Sequence, residues 1–426
     1  MYDSILIRNG TVVDPEQGLH RRANLFIRAG RVEGITMEHP TTQVVVDASD
    51  CFVCPGFVDM HVHLREPGFE HKETIATGCL AAARGGFTAV APMPNTQPVC
   101  DSPRTLKYVL SKAHEVDLAD VLPICSITVG SQGEELAPLV QLASLGCYAF
   151  SNDGQPVISA ATMRRAMQAV RQIGGVIIDH CEDKALAGDG VMHAGSRARA
   201  WDLPGITPLA EEVHIARDIL LAAEIGCPVH IAHLSTVRGV ELVRWAKARG
   251  YPVTAEATPH HFALTVDDMP GPDPNFKMNP PLRSQADRAA LLAGLQDGTI
   301  DVIATDHAPH APSEKARGFR EAPFGIIGLE TAVPLIMDQL YHRGILTMDR
   351  IVTLCAVRPA AIMSAGPRTF TPGAEALVTI IDPSAVTTVQ PAGFASKSVN
   401  TPFLNWTLRG TVRATVRRDK IVPYPL

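Results

Sequence analysis

Eight apolar, β-branched runs, each followed by a stretch with helical periodicity, predict an α/β chain built on a (β/α)8 TIM-like barrel. Short β-type runs broken by turns at both ends of the chain predict a small β-sandwich domain formed from the two termini. A third observation joins the two parts to a purpose: polar residues gather at the C-terminal ends of the central runs, where barrels build their sites. The expected organisation places residues 1–53 and 366–426 in the sandwich and residues 54–365 in a metal-dependent barrel.

The N-terminal stretch alternates Ile5-Leu6-Ile7-Arg8, a turn at Asn9-Gly10, Thr11-Val12-Val13 and Ala23-Asn24-Leu25-Phe26-Ile27, the pattern of hairpins. The central runs begin near Phe57, Thr88, Val121, Cys147, Val176, Val229, Val253 and Asp301. Helices are expected between them over 74–84, 160–172, 211–225 and 239–248. The C-terminal stretch returns to β-type runs at Leu377-Val378-Thr379-Ile380-Ile381, Leu408-Arg409-Gly410-Thr411-Val412 and Lys420-Ile421-Val422. Two connections, 183–209 and 308–328, are long and polar, and such loops serve as lids or binding loops more often than as plain links. The second is expected to close over a bound ligand and exclude water; a static surface loop and a subunit contact are the alternatives.

Composition narrows the partners. Hydrophobic residues make up 46% and charged residues 19% of the 426, as in a folded enzyme and unlike a disordered or fibrous chain. The net charge is −6 and no basic stripe is present, which argues against nucleic acid. No apolar run reaches the roughly 20 residues of a membrane span, and the Met1-Tyr2-Asp3-Ser4 start lacks the features of a signal peptide. The nine cysteines are scattered, so free thiols and a cytoplasmic location are expected. Cys51 and Cys54 form a lone CxxC that is read as packing.

On a strand, positions two apart face the same way, so His61, His63 and Arg65 project together from the end of the first central run. Alone, such a pair is equally well explained by two hydrogen-bonded strand histidines. Other run ends supply Asn95, Asp153, His180, His233 and Asp306. Four histidines and two aspartates suit one or two borderline divalent ions, Zn2+ first among them. Two such ions outweigh the charge of Asp153, Asp306 and a bridging hydroxide, which would favour an anionic substrate. Bound metal lowers the pKa of water from 15.7 to about 7, which points to metal-assisted hydrolysis at a carbonyl, or its reverse. By alternation Asp179 and His307 face away from the site, and Glu182 returns to its inner side. His260 and His261 are read as structural, and Glu66 as a loop anchor.

The stretches His61-Val62-His63-Leu64-Arg65-Glu66-Pro67-Gly68, Met93-Pro94-Asn95-Thr96, His180-Cys181-Glu182, Thr258-Pro259-His260-His261, Asn279-Pro280-Pro281-Leu282-Arg283 and Thr305-Asp306-His307-Ala308-Pro309-His310 together resemble the amidohydrolase superfamily and, within it, the dihydroorotase family. The resemblance spans essentially the whole chain. It implies reversible cyclisation of N-carbamoyl-L-aspartate to L-dihydroorotate in de novo pyrimidine biosynthesis, on one or two Zn2+ per subunit. It further implies His61, His63, His180, His233, Asp153 and Asp306 as metal ligands, with a metal-held hydroxide as nucleophile and Asp306 as general acid/base. Arg65, Asn95 and His310 would hold the substrate carboxylate, Asn279 the ring amide, and Phe324 and Gly325 would also contact substrate. Many superfamily members bridge two metals with a carboxylated lysine. No lysine stands at a run end here, and Asp153 resembles the bridge of one dihydroorotase subgroup. A homodimer is expected, with aspartate carbamoyltransferase as a further partner some family members have. The alternatives are another cyclic amidohydrolase of the allantoinase or hydantoinase kind, and a non-catalytic scaffold for that transferase.

Overall fold

In the computed structural model, which describes residues 2–423, the N-terminal runs form β1 (Ser4–Asp14), β2 (Leu19–Arg28), β3 (Arg31–Thr36), β4 (Val44–Asp47) and β5 (Phe52–Pro55). The turn expected at Asn9-Gly10 is absent. β1 continues through these residues with a bulge between Ile7 and Gly10, and Asn9 adopts a φ of 65°. An Asn-Gly pair serves a bulge as readily as a hairpin, because both need a residue that tolerates positive φ. Packing also demands the glycine, since a Cβ on Gly10 would stand 2.4 Å from a Val53 methyl.

The barrel begins with β6 (Phe57–Val62), α1 (Ile75–Arg84), β7 (Phe87–Pro92), α2 (Pro103–Val116) and β8 (Asp120–Val121). It continues through α3 (Leu139–Ala143), β9 (Ala149–Phe150), α4 (Ala160–Gln172) and β10 (Val176–Asp179). The connection after β10 holds α5 (Lys184–Ala187), β11 (Met192–His193), α6 (Ser196–Ala200) and β12 (Gly205–Ile206), with β11 and β12 paired in parallel. Then follow α7 (Leu209–Ile225), β13 (Val229–Ile231), α8 (Val237–Ala248), β14 (Val253–Ala257), α9 (Pro259–Ala263), α10 (Gln285–Asp297) and β15 (Val302–Ile303). After α11 (Pro312–Lys315), α12 (Ala332–Ile336), α13 (Met348–Val352) and α14 (Arg358–Ile362), the chain re-enters the small domain as β16 (Leu377–Thr388), β17 (Thr407–Arg417) and β18 (Lys420–Pro423).

Burial on both faces makes these barrel strands continuous apolar runs, as parallel strands covered by helices must be. β6, β7 and β8 pair in one sheet, and β9, β10, β13, β14 and β15 in another. Single parallel bridges, Cys125 to Phe150 and Val62 to His307, join the two sheets into a ring. Three strands are shorter than their apolar runs, at two residues each in β8, β9 and β15. Pro123 cannot donate to a ladder after β8, and Asp306 turns the chain beyond β15 with a φ of 50°. The helices start where side-chain oxygens can accept first-turn N–H groups: Thr74, Ser102, Ser159 and Thr236 cap α1, α2, α4 and α8. The Thr236 cap is why α8 starts two residues earlier than the periodicity suggests.

The small domain carries strand order β18-β17-β16-β5-β1-β2-β3, with β4 on β1. Its far edge comes back on itself. The Val32 N–H donates to the Ala374 carbonyl and the Ala376 N–H to the Gly30 carbonyl, each at 2.9 Å. The sheet thereby encloses its own core of Ile5, Leu25, Ile27, Val53, Val378 and Val416, separate from the barrel core. Among the described residues no helix is long and apolar enough to cross a membrane. All nine cysteines are buried and free.

Candidate active site and metal centre

The alternation of β6 places His61 and His63 on the inner side of the barrel, where both are buried. The end of β9, across the ring, and the end of the neighbouring β15 bring the carboxylates to them. His63 Nε2 lies 3.0 Å from Asp306 Oδ1 and 3.6 Å from Asp153 Oδ2. His61 Nε2 lies 3.4 Å from Asp306 Oδ1 and 3.5 Å from Asp153 Oδ1. His180 Nδ1 meets His233 Nε2 at 2.8 Å, and the two stand 3.7 and 3.9 Å from Asp153 Oδ1. Asp153 thus offers one oxygen toward His63 and the other toward the remaining three histidines.

The donor set fits divalent metal. His61 Nε2 and Asp153 Oδ1 are buried polar atoms with no hydrogen-bond partner, an arrangement that costs about 1–3 kcal/mol per group unless something else satisfies them. Two triads, His61/His63/Asp306 and His61/Asp153/His233, each gather their ligand atoms within 4.8 Å. Imidazole and carboxylate are the ligand types that Zn2+ and its neighbours prefer. A third group, Asp179/His214/Asp218, lies on the outer side of β10. There the cation is already present: Arg217 reaches Asp218 at 2.7 Å and His214 reaches Asp179 at 2.9 Å.

Charge in the site follows the same geometry. Burial alone would raise the Asp306 carboxyl, but His61 and His63 outweigh it and bring the group down to about 2. Asp153 is likewise pushed up by burial and held well below the usual carboxylate range by His61, His63 and His180. Burial, with His180 and His61 close by, lowers His233 to about 3, so its imidazole is neutral and free to ligate.

Above this floor opens a cavity of about 330 Å3. Arg65, Asn95, Asn279, His310, Phe324 and Gly325 line it, together with every expected ligand except His61, which lies beneath. Arg65 is held by its own backbone, at a φ of 63°, and by a 3.1 Å bond from Nε to the Pro309 carbonyl. Its Nη2 stands 3.3 Å from His310 Nε2. Asn95 lies between His63 Nδ1 at 2.9 Å and Asp153 Oδ2 at 3.3 Å, and Asn279 donates to Glu182 at 3.1 Å. The 308–328 loop is seated over this cavity, since His310, Phe324 and Gly325 belong to it. Lys315 within it is buried and donates to the Pro274 and Pro323 carbonyls at 2.8 and 2.9 Å.

The outward residues go where alternation sends them. Asp179 pairs with His214, and His307 faces Glu73 at 3.4 Å. Glu66 accepts the Ile75 N–H at the start of α1, at 2.9 Å. His261 is fixed between Thr258 Oγ1 and the Pro280 carbonyl, at 2.8 and 2.9 Å. Two groups of the site do not stand at run ends and are not evident from the sequence pattern. Glu256, fully buried on β14, accepts from His61 Nδ1 at 2.6 Å, His230 Nε2 at 3.1 Å and the His233 N–H at 3.0 Å. Asp59 accepts the His61 and Thr305 N–H groups, each at 3.1 Å, where the ring closes. The available signal was a carboxylate inside an apolar run, Val253-Thr254-Ala255-Glu256-Ala257 and Phe57-Val58-Asp59-Met60. Such a residue is buried at high cost unless it is fully bonded.

Comparison with known proteins bears on the family and the fold. A family model described as Dihydro-orotase-like matches residues 51–238. A relative named dihydroorotase from Pelotomaculum thermopropionicum is 50% identical over 419 residues, 98% of each chain. Another of that name from Pelobacter propionicus is 46% identical over 421 residues, 98% of this chain and 99% of the relative. Among solved structures, the L-hydantoinase (dihydropyrimidinase) of Arthrobacter aurescens superimposes with a TM-score of 0.88 at 25% identity, covering 99% of this chain and 96% of that one. A D-hydantoinase from Bacillus sp. AR9 shares the fold, with a TM-score of 0.83 at 22% identity over 98% of this chain and 95% of its own.

Proposed function

The chain belongs to the dihydroorotase family, and from that membership we propose that it interconverts N-carbamoyl-L-aspartate and L-dihydroorotate in pyrimidine biosynthesis. The observation that carries this reading is the cavity lining. Arg65, Asn95 and His310 converge beside the His/Asp floor, and they suit a carboxylate that dihydroorotate carries and hydantoin lacks.

Zn2+ is the ion we assign, one or two per subunit, to His61, His63, His180, His233, Asp153 and Asp306. When bound, the metal polarises the reacting carbonyl and makes water acidic enough to act as nucleophile near neutral pH. The remaining work belongs to the chain. Arg65 offers two parallel donors to the substrate carboxylate and fixes the ring in register with the floor. Asn279 bonds the ring amide, and Phe324 with Gly325 covers the ring from solvent. Asp306 is ionised at neutral pH, and so can act as a base. In hydrolysis its carboxylate accepts a proton from the attacking water and delivers it to the leaving ring nitrogen. In cyclisation the same oxygen takes the proton from the carbamoyl nitrogen and gives it to the departing hydroxyl.

The complete donor set also speaks against a scaffold that has given up catalysis, since so many buried polar groups are expensive to keep without use. A cytoplasmic location is supported by nine buried thiols, none of them paired. The homodimer is supported by an outward apolar stripe on α7 and α8, where Leu209, Val213, Leu220 and Trp245 are 45%, 48%, 59% and 37% exposed. Arg238, Glu212 and Glu241 bring both signs of charge to that face, which two copies related by a two-fold axis can pair. The direct test of function is substrate choice. Purified protein is expected to open dihydroorotate and leave hydantoin and allantoin intact; the reverse preference would move it to the hydantoinase kind.

A further inference from the structure

The segment joining β16 to β17 belongs to the small domain, yet residues 395–400 lie against the barrel mouth. The Ala395 N–H donates to Glu330 at 2.9 Å, the Lys397 N–H to Glu73 at 3.2 Å, and Ser398 Oγ to the Lys72 carbonyl at 2.8 Å. The segment ends at Asn400, which is 4% exposed. Its Oδ1 accepts the His310 N–H, and its Nδ2 donates to the carbonyls of Ala308 and Gly325, all at 3.1 Å. Its own carbonyl accepts the Ile327 N–H at 2.9 Å. One side chain thus ties the outgoing end of the 308–328 loop to its returning end.

We propose that Asn400 is a positioning residue for substrate, holding the loop ends so that His310, Phe324 and Gly325 face the cavity. This rests on the substrate reading given above. Two further observations show how little slack the crossing has. Gly325 takes a φ of 124°, and a Cβ there would stand 2.6 Å from the Ala308 Cβ and 3.2 Å from His310 Nε2. His310 Nε2 in turn bonds the Phe324 carbonyl at 2.8 Å, so a shift of either end moves both substrate-facing groups. Removing the amide would leave one buried N–H and two buried carbonyls without it, and the loop would relax away from the carboxylate site to satisfy them.

Asn400→Ala is expected to raise KM for dihydroorotate about tenfold or more with a much smaller change in kcat, because binding geometry is lost while Asp306 remains. The double variant N400A/H310A should lose less than the two single effects combined, since part of the effect of Asn400 runs through the His310 side chain. Ser398→Ala removes a bond of the same segment away from the loop and should leave KM unchanged. Hydrogen–deuterium exchange across 308–328 should quicken in N400A and not in S398A, a readout that needs no substrate. Equal exchange in both variants, an unchanged KM, or additive effects of N400A and H310A would overturn the proposal. A wild type inert to dihydroorotate, with faster exchange in N400A, would support the loop role and overturn the substrate assignment.

Discussion

Glu256 shows what one buried carboxylate does at this site. By accepting from His61 Nδ1 at 2.6 Å it fixes the tautomer that leaves Nε2 as a lone-pair donor into the site, and its bond to the His233 N–H steadies a second ligand. Glu256→Gln removes that charge with little change of shape. It should weaken metal binding about 10–100-fold in a protein that still folds, measured by competition with a chelator. Unchanged affinity would sink the role. Asp306→Asn is predicted to lower turnover in both directions about 10²–10⁴-fold, because the amide can neither take nor return the proton. The residues at run ends were legible in the sequence because alternation alone says which way they point. Glu256 and Asp59 were not, because each sits inside a strand and bonds groups distant in the chain: His230 on the paired strand β13 for Glu256, and for Asp59 the Thr305 N–H beyond β15, which ring closure brings to β6.

Elements explain how the mouth is held. Glu330, two residues before the start of α12, receives the N–H groups of Ala395 and Ser396 in a buried setting. Burial raises its carboxyl from the ordinary 4.5 to about 7. An acid whose folded pKa is raised binds its proton more tightly folded than unfolded, so the stability it contributes is whole below pH 4.5 and lost as pH rises to about 7. Glu330→Gln cannot titrate. Relative to wild type it should therefore gain stability across that window, by about 3 kcal/mol in denaturant melts at several pH values. A difference that stays flat with pH would contradict this. At this scale the sequence was informative about where strands and helices begin, since caps and apolar periodicity are local. It misread Asn9-Gly10, where local chemistry permits both bulge and turn and only the continuing partner strand β2 decides. Nor did it reveal Asn400, a polar residue in a polar loop whose partners lie 75 to 92 positions away.

In the whole molecule, a barrel with its own core carries the floor of the site, and a second core formed from both chain ends carries a segment that braces its rim. The sequence made this division legible through the change from hairpin rhythm to βα rhythm, and it located the mouth through the run-end polar residues. Metal should stabilise this assembly by linkage, because the unfolded chain cannot gather ligands from β6, β9, β10, β13 and β15. Chelation is thus expected to lower the Tm, and adding Zn2+ to restore it. The most direct measurement is turnover of dihydroorotate by purified protein with metal content determined on the same sample. Hydrolysis that a chelator abolishes and Zn2+ restores, in step with occupancy, is the expected result. Zinc-loaded, folded protein that leaves dihydroorotate intact would contradict it.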